Sequence, residues 1–487
     1  MGSLGRHSAI YGLGLFLTKA VAFVMLPIYT RLLTPADYGV LQLIIMTFEV
    51  VTILAGSRIA FGIFHFYHKA EDETRRHRVL STASVLLAVT YAGAALTTIA
   101  AAPAVANLVF GGDQRYVTFV RVAAASMAFE GLSLVPTAFF QLQNRSRTFV
   151  LVSLGKLGMQ VTLNLIFLLP LGLGVLGVLL SSMITNIVFG TALSVRMLSS
   201  IGWRFERAAA RGFVRFGLPL VVMQVATFLL TFGDRYFLNR AGGTTEVGLY
   251  GLAYQFGFLV VTIGFAPFQR VWDPQRFAVA KQPDKDAIFA RVFIYLNVLL
   301  VSAALGIALF GGDAIRMIAA APFHASAAFV PVLAAAYVFQ CWGSFLNIGI
   351  YITEKTEYFT LANYLAATVA LAGYLLLVPM WLAWGAAITT LVSLTVRAWL
   401  AHLFSQRLWP VQYRWQPIVR LASLAAAVGL VSALTPELAI AVSLAYHAVL
   451  YLIFAALAWT SPILNSEERE AVRSRLARSL RRPPAAA

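Results

Sequence analysis

LPIYTRLLTPADYGVLQL, Leu26 to Leu43, joins two apolar runs at about residues 9–32 and 39–65, and its reading decides the fold. Each run is long enough to cross a bilayer, which takes about 20 mostly apolar residues. The join carries Arg31, Thr34, Pro35, Asp37 and Gly39, residue types that suit a tight polar turn at a membrane surface. Lys19, Glu49 and Arg58 nevertheless sit inside the runs. A charge inside a membrane segment costs a few kcal/mol, so each is a functional candidate unless a partner neutralises it.

The pattern continues along all 487 residues, of which 60% are hydrophobic and 12% charged, with mean hydropathy +0.79. Soluble domains carry about 25% charged residues. The chain therefore reads as an all-α polytopic membrane protein. Twelve further runs, at about 79–102, 118–140, 149–169, 175–197, 213–233, 249–271, 288–310, 328–352, 358–378, 384–404, 418–434 and 438–459, bring the total to about fourteen transmembrane helices. Arg6 precedes the first run, but 9–32 exceeds the roughly 7–15-residue apolar core of a signal peptide and reads as a retained span. The single cysteine, Cys341, allows no internal disulfide. Seven scattered histidines without a His/Cys cluster predict no zinc or other metal site, and no cofactor is expected.

The net charge of +17 is distributed by side. With a cytoplasmic N-terminus, Arg31, Arg115, Arg121, Arg235, Arg240 and Arg316 fall in outer loops or outer span ends. Lys19, Arg58 and Lys156 lie within spans, and the other basic residues count to the cytoplasmic side. That bias follows the positive-inside rule and predicts both termini in the cytoplasm. The charge is topology, and no nucleic-acid partner is expected. Trp203, Trp272, Trp409, Trp415 and Trp459 fall at predicted cytoplasmic ends, as an interfacial belt would place them.

Two related halves are visible. NLVFGGDQR (Asn107–Arg115) recurs as ALFGGDAIR (Ala308–Arg316), each copy preceding the fourth span of its half. NRSRTF (Asn144–Phe149) lines up with EKTEYF (Glu354–Phe359), and Arg31…Tyr38-Gly39-Val40 with Arg235…Val247-Gly248-Leu249-Tyr250. Three matches in one order predict two parallel, pseudo-symmetric six-helix lobes about an axis along the membrane normal. The expected divisions are 1–198 (first lobe), 199–212 (an amphipathic cytoplasmic linker with Trp203 and Phe205 among arginines), 213–405 (second lobe), 406–460 (two extra spans) and 461–487 (a basic tail). Six tail arginines attract anionic lipids at the cytoplasmic face, at about 1 kcal/mol each.

With these parts placed, the sequence resembles the polysaccharide-synthesis branch of the MATE-like exporter superfamily, which includes O-antigen, capsule and exopolysaccharide repeat-unit flippases. The likeness rests on LPIYTRLLTPADYGVLQL, on TFGDRYFLNRAGGTTEVGLYGLAY (Thr231–Tyr254) and on FAPFQRVWDPQ (Phe265–Gln275), and covers roughly residues 1–405. One departure is His65-Phe66-Tyr67, where many members carry an arginine-tyrosine pair. The resemblance implies a non-enzymatic flippase in the bacterial inner membrane. Its substrate would be an undecaprenyl-diphosphate-linked oligosaccharide destined for lipopolysaccharide or another surface glycan, with a polysaccharide polymerase as possible partner. Related peptidoglycan-precursor flippases line their cavity with cations on the first, second and eighth spans. Lys19, Arg58 and Arg270 stand at comparable places here and are the expected substrate-binding residues.

A diphosphate demands uncompensated cations, so the acids near them matter. At about 1.5 Å per residue, Glu130 and Lys156 reach similar depths on adjacent spans and are expected to pair. Glu49 is the nearest acid to Lys19, whereas Arg58 has no acid at its depth. Asp234 and Arg235 read as a brace at the outer end of span seven, and Glu49 and Glu130 as possible proton carriers. A cation-coupled drug exporter of the same superfamily would share the fold but favour an anionic cavity. A membrane glycosyltransferase or polymerase would need a large outer loop or an acidic cluster at the membrane face, and the sequence has neither.

Overall fold

A computed structural model describes residues 25–56, 59–436 and 438–461. Lys19, Arg58 and the basic tail lie outside the described residues. Every regular element among those described is helical. In chain order they begin with α1 (25–32), α2 (Pro35–Leu54), α3 (Ile59–Lys69), α4 (Glu73–Ala100), α5 (Ala102–Phe110) and α6 (Arg115–Leu142). There follow α7 (Ser146–Leu168), α8 (Gly174–Ile201), α9 (Arg207–Phe232), α10 (Asp234–Leu259), a π-helical turn (Val260–Phe265) and α11 (Ala266–Val279). Next come α12 (Lys285–Ile318), a 3₁₀ segment (Ala321–Phe329), α13 (Val330–Phe345) and α14 (Ile348–Ile352). The last four are α15 (Glu357–Leu376), α16 (Val378–Leu408), α17 (Trp415–Ala433) and α18 (Ile440–Thr460).

Twelve stretches among the described residues are long and apolar enough to cross a membrane. Of the fourteen apolar runs, the first lies mostly outside the described residues, and the helix of the seventh, α9, leads into the longest stretch, Thr227–Val279. Large apolar side chains stand exposed along these helices, among them Leu96, Leu151 and Val195. A water-facing surface does not tolerate apolar area on that scale, whereas lipid does. The protein is an all-α, multi-pass membrane protein.

The opening turn is shorter than a polar loop. The Thr34 hydroxyl accepts from the Asp37 backbone N–H at 3.1 Å, while the Asp37 carboxylate accepts from the Thr34 N–H at 3.1 Å. This is a capping box with Pro35 just inside the helix, so TPAD starts α2 at once. Five residues into α2 the helix meets α10. A Cβ on Gly39 would collide with the Thr244 carbonyl oxygen, and one on Gly248 with the Pro35 carbonyl oxygen. The two echoed hairpins thus touch backbone to backbone through their own glycines.

The chain forms two compact units. The first runs to Gly251 and includes Ile318–Phe323 and Ala367–Thr389. Its core centres on α6, packed between α4 and α8, with Leu80, Leu87, Tyr91, Ala124 and Met127 buried. Residues 202–206 between α8 and α9 are not helical, because Gly202 (φ 82°) ends α8 in a conformation that other side chains rarely adopt. Their backbone is held by α4, with Arg204 N–H donating to Ser81 Oγ at 2.9 Å and Glu206 N–H to Thr82 Oγ1 at 3.1 Å. Trp203 and Phe205 are exposed.

The second unit comprises Leu252–Met317, His324–Ala366 and the residues from Thr390 on. Its core is an aromatic cluster in which Phe345 stacks with both Phe293 and Trp272, and Phe289, Tyr413 and Trp415 pack edge to face around them. Trp272 is therefore buried, not part of an interfacial belt. Burial also pushes the Tyr413 hydroxyl, in the 409–414 connection, well above the ordinary phenol range. A second cluster seats α12 against α17 and α18 through Val301, Leu305, Leu309, Leu421, Val428 and Phe454.

Candidate functional site

The two membrane carboxylates line one cavity. Asp37, in the first turn of α2, acts electrostatically on Arg115 at the start of α6, so the two helices begin at one face. Twelve and fifteen residues further on, at about 1.5 Å each, Glu49 and Glu130 reach depths of about 18 and 22 Å, near the middle of a membrane. Both line one open cavity of about 230 Å³ bordered by α2, α6 and α8, together with Thr52, Ser126 and Ser182. Ser126 is fixed by Asn186 of α8, whose amide donates to its hydroxyl at 3.0 Å.

Depth alone paired Glu130 with Lys156, but the azimuth around the helix separates them. Lys156 on α7 exerts a field on Glu130, yet no ion pair within 4.0 Å joins them among the described residues. Glu130 turns to the cavity on the α8 side instead. Two carboxylates on one cavity wall repel unless a proton or a cation sits between them.

Asp234 and Arg235 form a closed unit. Arg235 donates to Asp234 Oδ1 at 2.8 Å, and the Tyr250 hydroxyl donates to Asp234 Oδ2 at 2.7 Å. The guanidinium lies over the rings of Phe232 and Tyr250 at 5.4 and 5.5 Å, and both charged residues are buried. The charges cancel locally, and the Gly-Leu-Tyr echo supplies the tyrosine.

In the second unit Arg270 stands exposed on α11, just beyond the π-helical turn and Pro267, without an ion pair among the described residues. One further cation escaped the sequence reading. Arg397 on α16, about 16 Å from the end of that helix, had been counted to the cytoplasmic side with the other basic residues. Its Nε is buried without a hydrogen-bond partner, and no acid among the described residues lies within 4.0 Å. Its guanidinium sits over the Phe359 ring at 5.6 Å and beside Gly343 and Cys341. The available signal was position: eleven residues before Leu408, Arg397 falls inside the twelfth apolar run.

Membrane-spanning helices in two units, with carboxylates and a guanidinium at depth, define a polytopic membrane protein. Residues 4–277 match the family described as Polysaccharide biosynthesis protein, more than half of the chain. The chain belongs to that family. Lsg locus putative protein 1 of Haemophilus influenzae is 27% identical over 316 residues, which is 61% of this chain and 73% of that protein. Among solved structures, the inward closed conformation of the lipid II flippase MurJ matches with TM-score 0.74 at 11% identity, covering 94% of this chain and all of that one. The inward-facing conformation of a multidrug resistance MATE family transporter of the MOP superfamily matches at 0.63 with 15% identity over 78% of this chain and 92% of its own. A MOP superfamily transporter from Pyrococcus furiosus matches at 0.59 with 15% identity over 83% and 95%. The fold is the one shared by these solved structures.

Proposed function

We propose that the protein flips a polyprenyl-diphosphate-linked oligosaccharide from the inner to the outer leaflet of the bacterial inner membrane, for lipopolysaccharide or another surface polysaccharide. The observation that carries this reading is Arg397, a guanidinium within a span whose Nε has no acceptor. A buried cation left without an acid costs several kcal/mol unless a ligand supplies the counter-charge, and a diphosphate supplies two. Lys19, Arg58 and Arg270 are the companion contacts in this reading. The family match and the likeness to MurJ, a lipid II flippase, support it.

In this mechanism two six-span lobes, 1–198 and 213–405, rock about a central cavity with both termini in the cytoplasm. The diphosphate docks on the cations, the sugars follow through the cavity and the polyprenyl chain stays in lipid. The Glu49–Glu130 cavity takes up a proton or cation to bias the rocking. Anionic lipids hold the basic tail, and a polysaccharide polymerase receives the product.

Arg397→Ala abolishes surface glycan while the protein still inserts and accumulates, and Arg397→Lys restores part of it. Normal glycan in Arg397→Ala overturns the role of that cation. Loss of drug resistance with glycan intact would instead identify a drug exporter, the reading that the MATE likeness favours. In liposomes, Glu49→Gln and Glu130→Gln remove substrate-dependent proton uptake; unchanged flux removes the coupling role.

A further inference from the structure

A cleft of about 270 Å³ lies at one end of the first unit, where the α6–α7 turn meets the last turns of α8, and plays no part in the mechanism above. Phe139, Phe140, Arg145, Leu193, Arg196 and Met197 line it. Arg145 is placed there by the turn. α6 ends at Leu142, Asn144 takes a positive φ of 54°, and the Arg145 N–H then donates back to the Phe140 carbonyl oxygen at 2.9 Å. Asparagine reaches that conformation more readily than most residues. Arg196 stands five residues before Ile201, the end of α8, and so about 7.5 Å along the helix from it.

Both arginine side chains are exposed, and neither has a hydrogen bond, a ring contact or an acid within 4.0 Å among the described residues. No acid among the described residues lines the cleft. Ser200, the remaining lining residue, spends its hydroxyl proton on the Met197 carbonyl oxygen at 2.7 Å, so the donors on offer are the two guanidiniums. The echo in the second unit makes the same turn with another balance of charge. There Glu354 (φ 58°) turns the chain and the Lys355 N–H donates to the Ile350 carbonyl oxygen at 3.0 Å, but EKTEYF carries two acids where NRSRTF carries none. Two unpaired guanidiniums with no acid beside them match the oxygens of a phosphate. The rest of the lining is mostly apolar, which offers a bare inorganic anion nothing and offers a lipid's glycerol and first methylenes a surface to cover. Leu151 of α7 and Val195 of α8, close in the chain to the two arginines, are exposed as lipid-facing side chains are. A basic pocket between membrane helices at the cytoplasmic side is a recurrent seat for anionic headgroups.

We propose that this cleft binds the headgroup of an anionic phospholipid of the cytoplasmic leaflet. On the topology given above, both arginines lie at that face. Arg145 meets the phosphate from the turn and Arg196 from α8, the glycerol covers the apolar lining, and the acyl chains run along α7 and α8. The site uses none of the residues of the flippase reading, so it stands or falls apart from it.

The test uses the full-length protein in detergent, with phosphatidylglycerol, phosphatidylcholine and inorganic phosphate as separate probes. Lipid retention is read by native mass spectrometry and the thermal midpoint by unfolding. Phosphatidylglycerol is retained and raises the midpoint, and phosphatidylcholine and inorganic phosphate do not. The double variant Arg145→Gln/Arg196→Gln weakens phosphatidylglycerol binding about tenfold. Arg196→Gln alone weakens it by a smaller factor and carries the test if the double variant fails to accumulate. Arg211→Gln, at an exposed position on α9 outside the cleft, leaves it unchanged. Equal retention by wild type and the cleft variants overturns the proposal. So does an equal loss in Arg211→Gln, which would make the binding a property of the basic surface as a whole. Equal binding of phosphatidylcholine would show that charge does not select the lipid, and protection by inorganic phosphate alone would make it a soluble-anion site; either result overturns the assignment.

Discussion

The first copy of Phe-Gly-Gly-Asp, at 110–113, ends a helix, and the second, at 310–313, runs through the inside of one. In the first, Gly111 (φ 72°) and Gly112 (φ 91°) turn the chain, and Asp113 pairs with Arg115 at 2.7 Å in the open. In the second, both glycines are helical and Asp313 is buried against Ser443 and His447. A Gly-Gly pair leaves helix and turn within about 1–2 kcal/mol of each other, so the surroundings decide. Around the second copy α17 and α18 bury Leu305 and Leu309 and supply donors to the acid. The two spans outside the repeat have turned a surface motif into an interior one.

Substitutions sharpen or break this contrast. Asp313→Ala strips the acceptor from a half-buried imidazole and a buried hydroxyl and costs about 2 kcal/mol, read as a lower thermal midpoint in detergent. Asp113→Ala leaves the midpoint where it was; equal losses would break the comparison. The glycines of the hairpin echo behave oppositely, as matched copies. Gly39→Val and Gly248→Val each drive a side chain into backbone and lose about 1–3 kcal/mol, to similar extents. Gly111→Ala costs about 1 kcal/mol because its φ is positive, whereas Gly312→Ala, helical with only ordinary contact to Ala327, gains about 0.5 kcal/mol.

The smallest effect concerns acidity. Hydrogen bonds from Arg115 hold the Asp113 carboxyl below the usual carboxylate range. A depressed acid stabilises the fold above its unfolded-state value, and that contribution is lost as pH falls through the lowered folded-state value. A slight acid-side drop in midpoint, absent in Asp113→Asn and suppressed by salt, is the expected result.

The fold class was legible because hydropathy along a membrane span is one-dimensional. A run of about 20 apolar residues has few other uses. The pairing of Asp234 with Arg235 needs no tertiary knowledge, since the two are adjacent in the chain. Glu49 and Glu130 are different. Their shared cavity depends on α2 and α6 starting at one face and on which way Glu130 turns, and neither follows from depth. Arg397 was hidden by a tally of charges by side, which hides the single cation that stays within a span. The capping box at Thr34 shows the converse: S/T-x-x-D/E before an apolar run signals a helix start, although the composition of TPAD suggests a loop.

The approach of Gly39 to Gly248 has a mechanical consequence. Where these two backbones meet, the approach is set by glycine, so neither ionic strength nor pH has a handle on that crossing. Dispersion between close-packed atoms falls away within about an ångström, so such a joint is either shut or parted, with little between. Compression and heat, which act on volume and packing, are the variables that would move it.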